Sequence, residues 1–195
     1  MAKSAHRPRY TLDEYLKLEE ISNVRHEYLD GEIYAMAGGT PEHGRIAANI
    51  IALLGSHESR TRCAVFTSDV RVRVAASGLD TYPDISVVCG HLERDSLDAQ
   101  AIANPVVIFE VTSPSSDAYD RGEKLRHYQQ IPSLREIVIV SHSERRVDVW
   151  RRGDEGEWER AEIGPSGVAH LAAIDCDLPV DDIYRDPLDR PHSPL

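Results

Sequence analysis

Two acidic residues interrupt apolar runs in this chain. Tyr82-Pro83-Asp84-Ile85-Ser86-Val87-Val88 carries Asp84 at the start of its run, and Val106-Val107-Ile108-Phe109-Glu110-Val111 carries Glu110 deep inside one. A carboxylate buried on a strand costs several kcal/mol unless it is ion-paired, metal-bound or protonated. A single acid of this kind is usually salt-bridged by an Arg or Lys, or sits at the wet rim of a sheet. Two of them on successive apolar strands, the first with a proline fixing its approach, can together present hard oxygen ligands to Mg²⁺ or Mn²⁺. Such ions complete their coordination with backbone carbonyls and water.

The elements that must position these acids follow from capping and periodicity. Thr11 and Glu14 form a capping box ahead of Leu12, Tyr15, Leu16 and Leu18, which predicts a first helix ending near Glu20. Val24 to Leu29 and Glu32 to Met36 flank Asp30-Gly31, a strong hairpin signal. Thr40 and Pro41 open a helix over about 41–58, with Ile46, Ala47, Ile50, Leu53 and Leu54 at helical spacing. Strands are expected at Cys63 to Phe66, Ile85 to Val88 and Val106 to Val111. In a further strand, Val70, Val72 and Val74 alternate with Arg71 and Arg73 on a face expected to be wet. Ser113-Pro114-Ser115-Ser116 leads into a helix at about 118–130, closed by Pro132. Ile137 to Val140 and Val147 to Trp150 form a hairpin, Trp158 to Ile163 adds a strand, and Leu178 to Tyr184 gives a last helical turn.

Composition narrows the function. The chain of 195 residues fits one core, with residues 1–10 as a disordered arm, 11–185 as a single domain and 186–195 as a frayed tail. No run is apolar for the roughly 18 residues of a membrane span, and no apolar segment follows the basic start, so a cytoplasmic location is expected. Three cysteines, Cys63, Cys89 and Cys176, are odd in number and far apart, and read as reduced core thiols. The nine histidines form no HExxH pair, and no Walker loop, G-x-G-x-x-G or G-x-S-x-G occurs. A formal charge of −11 excludes a broad basic nucleic-acid surface, so any DNA contact must be local. Its basic spots are Lys3, Arg7 and Arg9; Arg60 with Arg62; Arg71 with Arg73; and Arg145, Arg146, Arg151 and Arg152. Each of these, taken singly, reads more simply as a solvated strand face.

Five segments carry a family resemblance: His26-Glu27-Tyr28-Leu29-Asp30-Gly31-Glu32-Ile33, the T-P-E-H-G-R-I start at Thr40, Y-P-D-I-S-V-V at Tyr82, F-E-V-T-S-P-S-S at Phe109, and Y-D-R-G-E-K-L-R-H-Y at Tyr119. Together they resemble the Uma-type restriction endonuclease family of the PD-(D/E)XK nuclease superfamily, from about Thr11 to Tyr184. The resemblance implies an α/β fold, a restriction-endonuclease-like mixed sheet flanked by helices, with β-hairpins at both ends of the chain. It also implies a metal-dependent phosphodiesterase site. Pro83-Asp84 matches the first signature pair and Glu110 the second acid, but Thr112 stands where the E-x-K lysine is expected.

Lys124, on the helix after the Glu110 strand, is the replacement this gap suggests. It shares a stripe with Arg121, Leu125 and Tyr128, and either reaches back to the acids or pairs at the surface with Asp120 at i, i+4. His43, near a helix start and facing inward, either touches a phosphate or is a satisfied core histidine. Glu27 is a third ligand or an ion-pair partner of Arg25 or a more distant Arg. The reading is a Mg²⁺- or Mn²⁺-dependent DNA endonuclease, with Asp84, Glu110 and the Val111 carbonyl as ligands and Lys124 acting on the attacking water. A homodimer is expected, since cutting two strands takes two sites. The alternatives are a cleavage-deficient metal- or nucleic-acid-binding module of the same fold and a structural dimer in which Glu110 is salt-bridged.

Overall fold

The computed structural model describes residues 9–36, 38–58, 62–186 and 188. Its central element is a mixed six-stranded sheet built from β3 (Cys63–Thr67), β6 (Ile85–Cys89), β7 (Val107–Val111), β8 (Glu136–Val140), β9 (Val147–Arg152) and β10 (Trp158–Ile163), in the order β10-β9-β8-β7-β6-β3. β7 pairs in parallel with β8, while β6–β7 and β8–β9 are antiparallel. Parallel neighbours need a crossover, and the helical segment 117–128 supplies it.

Alternation along β7 splits its side chains between two cores. Val107, Phe109 and Val111 face α2 (Pro41–Glu58), packing with Ile46, Ile50 and Leu54. The same core takes in the hairpin of β11 (Val168–Leu171) and β12 (Cys176–Pro179), and the turn α5 (Val180–Ile183). Ile108 faces the other way, toward Leu125, Tyr128, Ile131 and Leu134. Glu110 shares that second face by the period of two along a strand. Both faces of the sheet are covered, which is why its inner strands read as mostly apolar runs in which a polar residue stands out.

A second, four-stranded sheet lies against this face in the order β2-β1-β5-β4, from β1 (His26–Leu29), β2 (Glu32–Ala35), β4 (Val72–Val74) and β5 (Leu79–Thr81). α1 (Leu12–Ile21) carries the expected capping box and ends one residue beyond Glu20. Its Tyr15 is fully buried, stacks on Tyr28 at 5.1 Å and donates to the His26 carbonyl at 2.7 Å. Asp30 and Gly31 close the β1–β2 hairpin with φ of +47° and +86°, as a two-residue type I′ turn requires. A Cβ at Gly31 would also meet Arg9 at 3.0 Å.

Several expectations are corrected. Arg71 and Arg73 are buried, because the loop at 92–102 covers them and supplies a carboxylate to each, Asp98 to Arg71 at 2.6 Å and Asp95 to Arg73 at 3.4 Å, while Asp80 of the neighbouring β5 also pairs with Arg73. Cys63 and Cys89 are not free thiols but form a disulfide, since the antiparallel register of β3 and β6 sets them directly opposite each other. Cys176 is free and buried, as expected. The helix expected at about 118–130 spans α3 (Asp117–Tyr119), a π-helical turn (Asp120–Lys124) and α4 (Leu125–Tyr128). β5, β11 and β12 have no counterpart in the sequence reading. Residues 1–8 of the expected arm, most of the expected tail, and the basic spots Lys3, Arg7 and Arg60 lie outside the described residues. Among the described residues no helix is long and apolar enough to cross a membrane.

Candidate active site

Asp84 immediately precedes β6, and the pairing of Ile85 with Phe109 brings it beside Glu110 on β7. Its Oδ2 accepts the Val111 N–H at 2.7 Å, which pins the carboxylate across the strand gap. On an extended strand the N–H and C=O of one residue point to the same side, so the Val111 carbonyl faces the side on which Asp84 lies.

Glu110 is 5% exposed and Lys124 likewise 5%. The Lys124 Nζ stands 2.9 Å from Glu110 and 2.9 Å from Glu27, but 3.9 Å from Asp120. The reach-back reading of Lys124 therefore describes its placement, and surface pairing with Asp120 does not. Tyr128 donates its hydroxyl to Glu110 Oε1, and Thr81 donates to Glu27. Glu27 thus faces Lys124 and not Arg25, whose guanidinium pairs with Asp69. Glu27 lies on β1 of the four-stranded sheet, so the ammonium is gripped between acids from two sheets. His43 is not a core histidine: its Nε2 lies 3.0 Å from Asp84 Oδ1 at the base of α2. Its Nδ1 is buried without a hydrogen-bond partner among the described residues.

Electrostatics at this point are unbalanced toward acid. Burial pushes the Glu110 carboxyl up to about 8, with Asp120 and Asp84 adding to the rise and Lys124 opposing it. Burial likewise raises Asp120. Burial works against the charge on Lys124, yet Glu110, Tyr128, Glu27 and Asp120 outweigh it and hold the ammonium well above its usual range. The hydrogen bond to Asp84 raises His43. Among the described residues no three His, Cys, Asp or Glu side chains converge into a ready-made metal cage. The donors at hand are instead two carboxylates on neighbouring strands and a carbonyl. That hard-oxygen set, with surplus negative charge around it, fits a Mg²⁺ or Mn²⁺ ion that keeps several of its waters.

These groups lie at the floor of an open cleft of about 990 Å³. Its lining takes in Leu29, Tyr34 and Ala35 of the β1–β2 hairpin, Gly38-Gly39-Thr40, and Ser113, Ser115, Ser116 and Tyr119. Asp84, Glu110, Lys124, Glu27 and His43 are all brought together here. Asp120 and Tyr128 were read from sequence only as helix neighbours of Lys124. The i, i+4 spacing of Asp120, Lys124 and Tyr128 on one stripe was the signal that all three face the same acids. Thr112, in the position where an amine is expected, is fully buried and turned to His142, 3.0 Å away.

The mixed sheet flanked by helices is the restriction-endonuclease-like fold expected from the sequence. The fold is shared with a crystal structure described as a putative nuclease belonging to DUF820 from Anabaena variabilis ATCC 29413. The two match with a TM-score of 0.73 and 20% identity over 89% of this chain and 97% of that one. The chain belongs to the Uma2 family, described as putative restriction endonuclease, which it matches over residues 12–180. Two uncharacterized proteins of Synechocystis sp. (strain ATCC 27184 / PCC 6803 / Kazusa) are similar along most of their length. One, slr1290, is 36% identical over 93% of this chain and 95% of its own. The other, sll1609, is 30% identical over 78% and 86%.

Proposed function

We propose that this protein is a divalent-metal-dependent DNA endonuclease whose site is Asp84, Glu110 and Lys124. The observation that carries this reading is the Lys124 ammonium 2.9 Å from Glu110, an amine brought by the crossover helix to the acid whose own strand lacks one at Thr112. Asp84, Glu110 and the Val111 carbonyl would hold Mg²⁺ or Mn²⁺. A bound ion of this kind polarises a phosphoryl oxygen and lowers the pKa of a coordinated water.

The chain's own groups do the rest. Lys124 orients the attacking water and offsets the charge that builds on the phosphate, an electrostatic role that needs no ligation. Water adds to phosphorus and gives up a proton to solvent, one P–O ester bond breaks, and the departing oxygen takes a proton back from solvent. Glu27 and Tyr128 keep Lys124 and Glu110 in register, and His43 fixes the free edge of Asp84. A second copy paired about a twofold axis would supply the cut on the opposite strand.

Calorimetric titration with Mn²⁺ and nicking of supercoiled plasmid test the reading together. Wild type should bind and nick, and Glu110→Gln and Asp84→Asn should each abolish Mn²⁺ binding. Binding that persists in both variants would place the metal elsewhere. The acid surplus of the cleft favours a second reading, a metal-holding module that does not cut, and Mn²⁺ binding without any nicking would select it.

A further inference from the structure

Three phenols line the cleft, Tyr34, Tyr82 and Tyr119. Two have given their protons away: Tyr34 donates to Glu32 and Tyr82 to Glu19. The Tyr119 hydroxyl meets no hydrogen-bond partner among the described residues, and it is not sealed from solvent, so it opens on the cleft. The permanent cations of the lining are committed, Arg25 to Asp69 and Lys124 to Glu27 and Glu110. A half-buried polar group left without a partner calls for an account of what it meets.

The local fold explains why this hydroxyl stands where it does. Tyr119 ends α3 and is followed at once by the π-helical turn Asp120–Lys124. In a regular α-helix residues five apart lie roughly 140° round the axis from each other. A π turn bonds residue i to i+5 and brings such a pair to one side, and turns of this kind are frequent at functional sites. Tyr119 is thereby set beside Lys124. The charges it feels agree with that placement, since Glu27 and Lys124 lead them, ahead of Glu123 and Asp120. Burial holds the phenol above its usual range, so it keeps its proton and acts as a donor.

A phosphodiester entering this acid-rich cleft needs donors that the acids do not capture. A further ammonium would pair with them, as Lys124 does. A neutral hydroxyl brings no charge for the acids to take and can still donate to a phosphoryl oxygen. We infer that Tyr119 is a further catalytic residue, its hydroxyl donating a hydrogen bond to a non-bridging oxygen of the scissile phosphodiester, where charge builds as water adds. The proton stays on the phenol throughout, so the step needs no other reactant. The inference rests on the nuclease reading.

Plasmid nicking with Mn²⁺ by wild type, Tyr119→Phe and Tyr34→Phe tests it, together with Mn²⁺ titration and urea denaturation of each protein. Tyr119→Phe keeps the ring and removes only the oxygen. Its kcat should fall about tenfold to a hundredfold, less than for an enclosed oxyanion donor because this hydroxyl is open to water. KM for the plasmid should hold, because the contact strengthens chiefly in the transition state. Mn²⁺ affinity and the urea midpoint should hold as well, which a merely structural role would not allow. Tyr34→Phe, which loses a hydroxyl already given to Glu32, should nick like wild type. An unchanged kcat in Tyr119→Phe, a loss confined to KM, a lowered urea midpoint or an equal loss in Tyr34→Phe overturns the inference and leaves a nuclease in place. No nicking by wild type overturns the nuclease reading and this inference with it.

Discussion

Asp148 on β9 and Glu110 on β7 are both buried acids of the six-stranded sheet, yet their surroundings differ. Around Asp148 stand three guanidiniums, Arg121, Arg160 at 2.6 Å and Arg146 at 3.8 Å. Around Glu110 a single ammonium is shared with Glu27 and Asp120, and Asp84 adds to the repulsion. The Arg71–Arg73 cluster is intermediate, with two guanidiniums for Asp80, Asp95 and Asp98 and one oxygen of Asp80 without a hydrogen-bond partner among the described residues. Guanidinium forks saturate a carboxylate and hold strands in place. A carboxylate that the fold leaves undercompensated is one that a further cation can stabilise, and that asymmetry separates a structural acid from a functional one.

The comparison breaks most readily at Lys124. Lys124→Ala should lower plasmid nicking about a hundredfold to a thousandfold, the loss expected from one preorganised electrostatic group. Mn²⁺ affinity should hold or rise, because Glu110 loses its competing cation. Wild-type nicking in this variant would remove Lys124 from the mechanism.

Asp148→Asn should have the largest effect on stability, since it takes the one fully buried carboxylate from three guanidiniums at once and leaves them only their more exposed partners Asp117, Glu144 and Glu162. Breaking a buried pair costs about 3–5 kcal/mol, and the partial exposure of these arginines puts the expected loss near 3 kcal/mol. Urea denaturation of the two proteins measures it, and a loss below about 1 kcal/mol would make Asp148 no more structural than a surface acid.

Asp80 tests the intermediate case through pH. Burial pushes its carboxyl from 3.8 to about 7 against the pull of Arg73. The folded chain therefore holds this proton more tightly than the unfolded chain. Its contribution to stability falls as pH rises from about 4 to 7 and is constant above that window. Urea midpoints across this window should fall less steeply in Asp80→Asn than in wild type. An unchanged slope would show that Arg73 keeps Asp80 ionised throughout.

The smallest effect is expected at Asp120, whose carboxylate is raised by burial and lies 3.9 Å from Lys124, too far for a strong pair. Asp120→Asn should stabilise the metal-free protein at neutral pH by about 1 kcal/mol, because it relieves acid repulsion at little cost in pairing. A melting temperature below that of wild type would instead make Asp120 a structural partner of the ammonium, like the acids around the arginines.

Local chemistry was sufficient for much of this protein. The Thr11–Glu14 box, the Asp30-Gly31 turn, the Pro41 helix start and the apolar runs of β6, β7 and β8 each follow from neighbours a few residues apart. The same runs singled out Asp84 and Glu110, because an acid in an apolar strand is visible without knowing what surrounds it. β5, β11 and β12 were not legible. They are three or four residues long and are strands by virtue of the partners they pair with.

Partnership between distant residues belonged to the tertiary structure. A Val-Arg-Val-Arg alternation predicts a wet face unless another segment covers it, and only the loop at 92–102 decides that Arg71 and Arg73 are buried. Cys63 and Cys89 bond because β3 and β6 pair in one register, and a shift of one residue would part them. Glu27 meets Lys124 across nearly a hundred residues because two sheets and a crossover helix converge there. Sequence spacing fixes which side chains lie on one face of one element. Which charges finally share a site depends on how elements stack, and that is settled by burying apolar area over the whole chain, not by any local pattern.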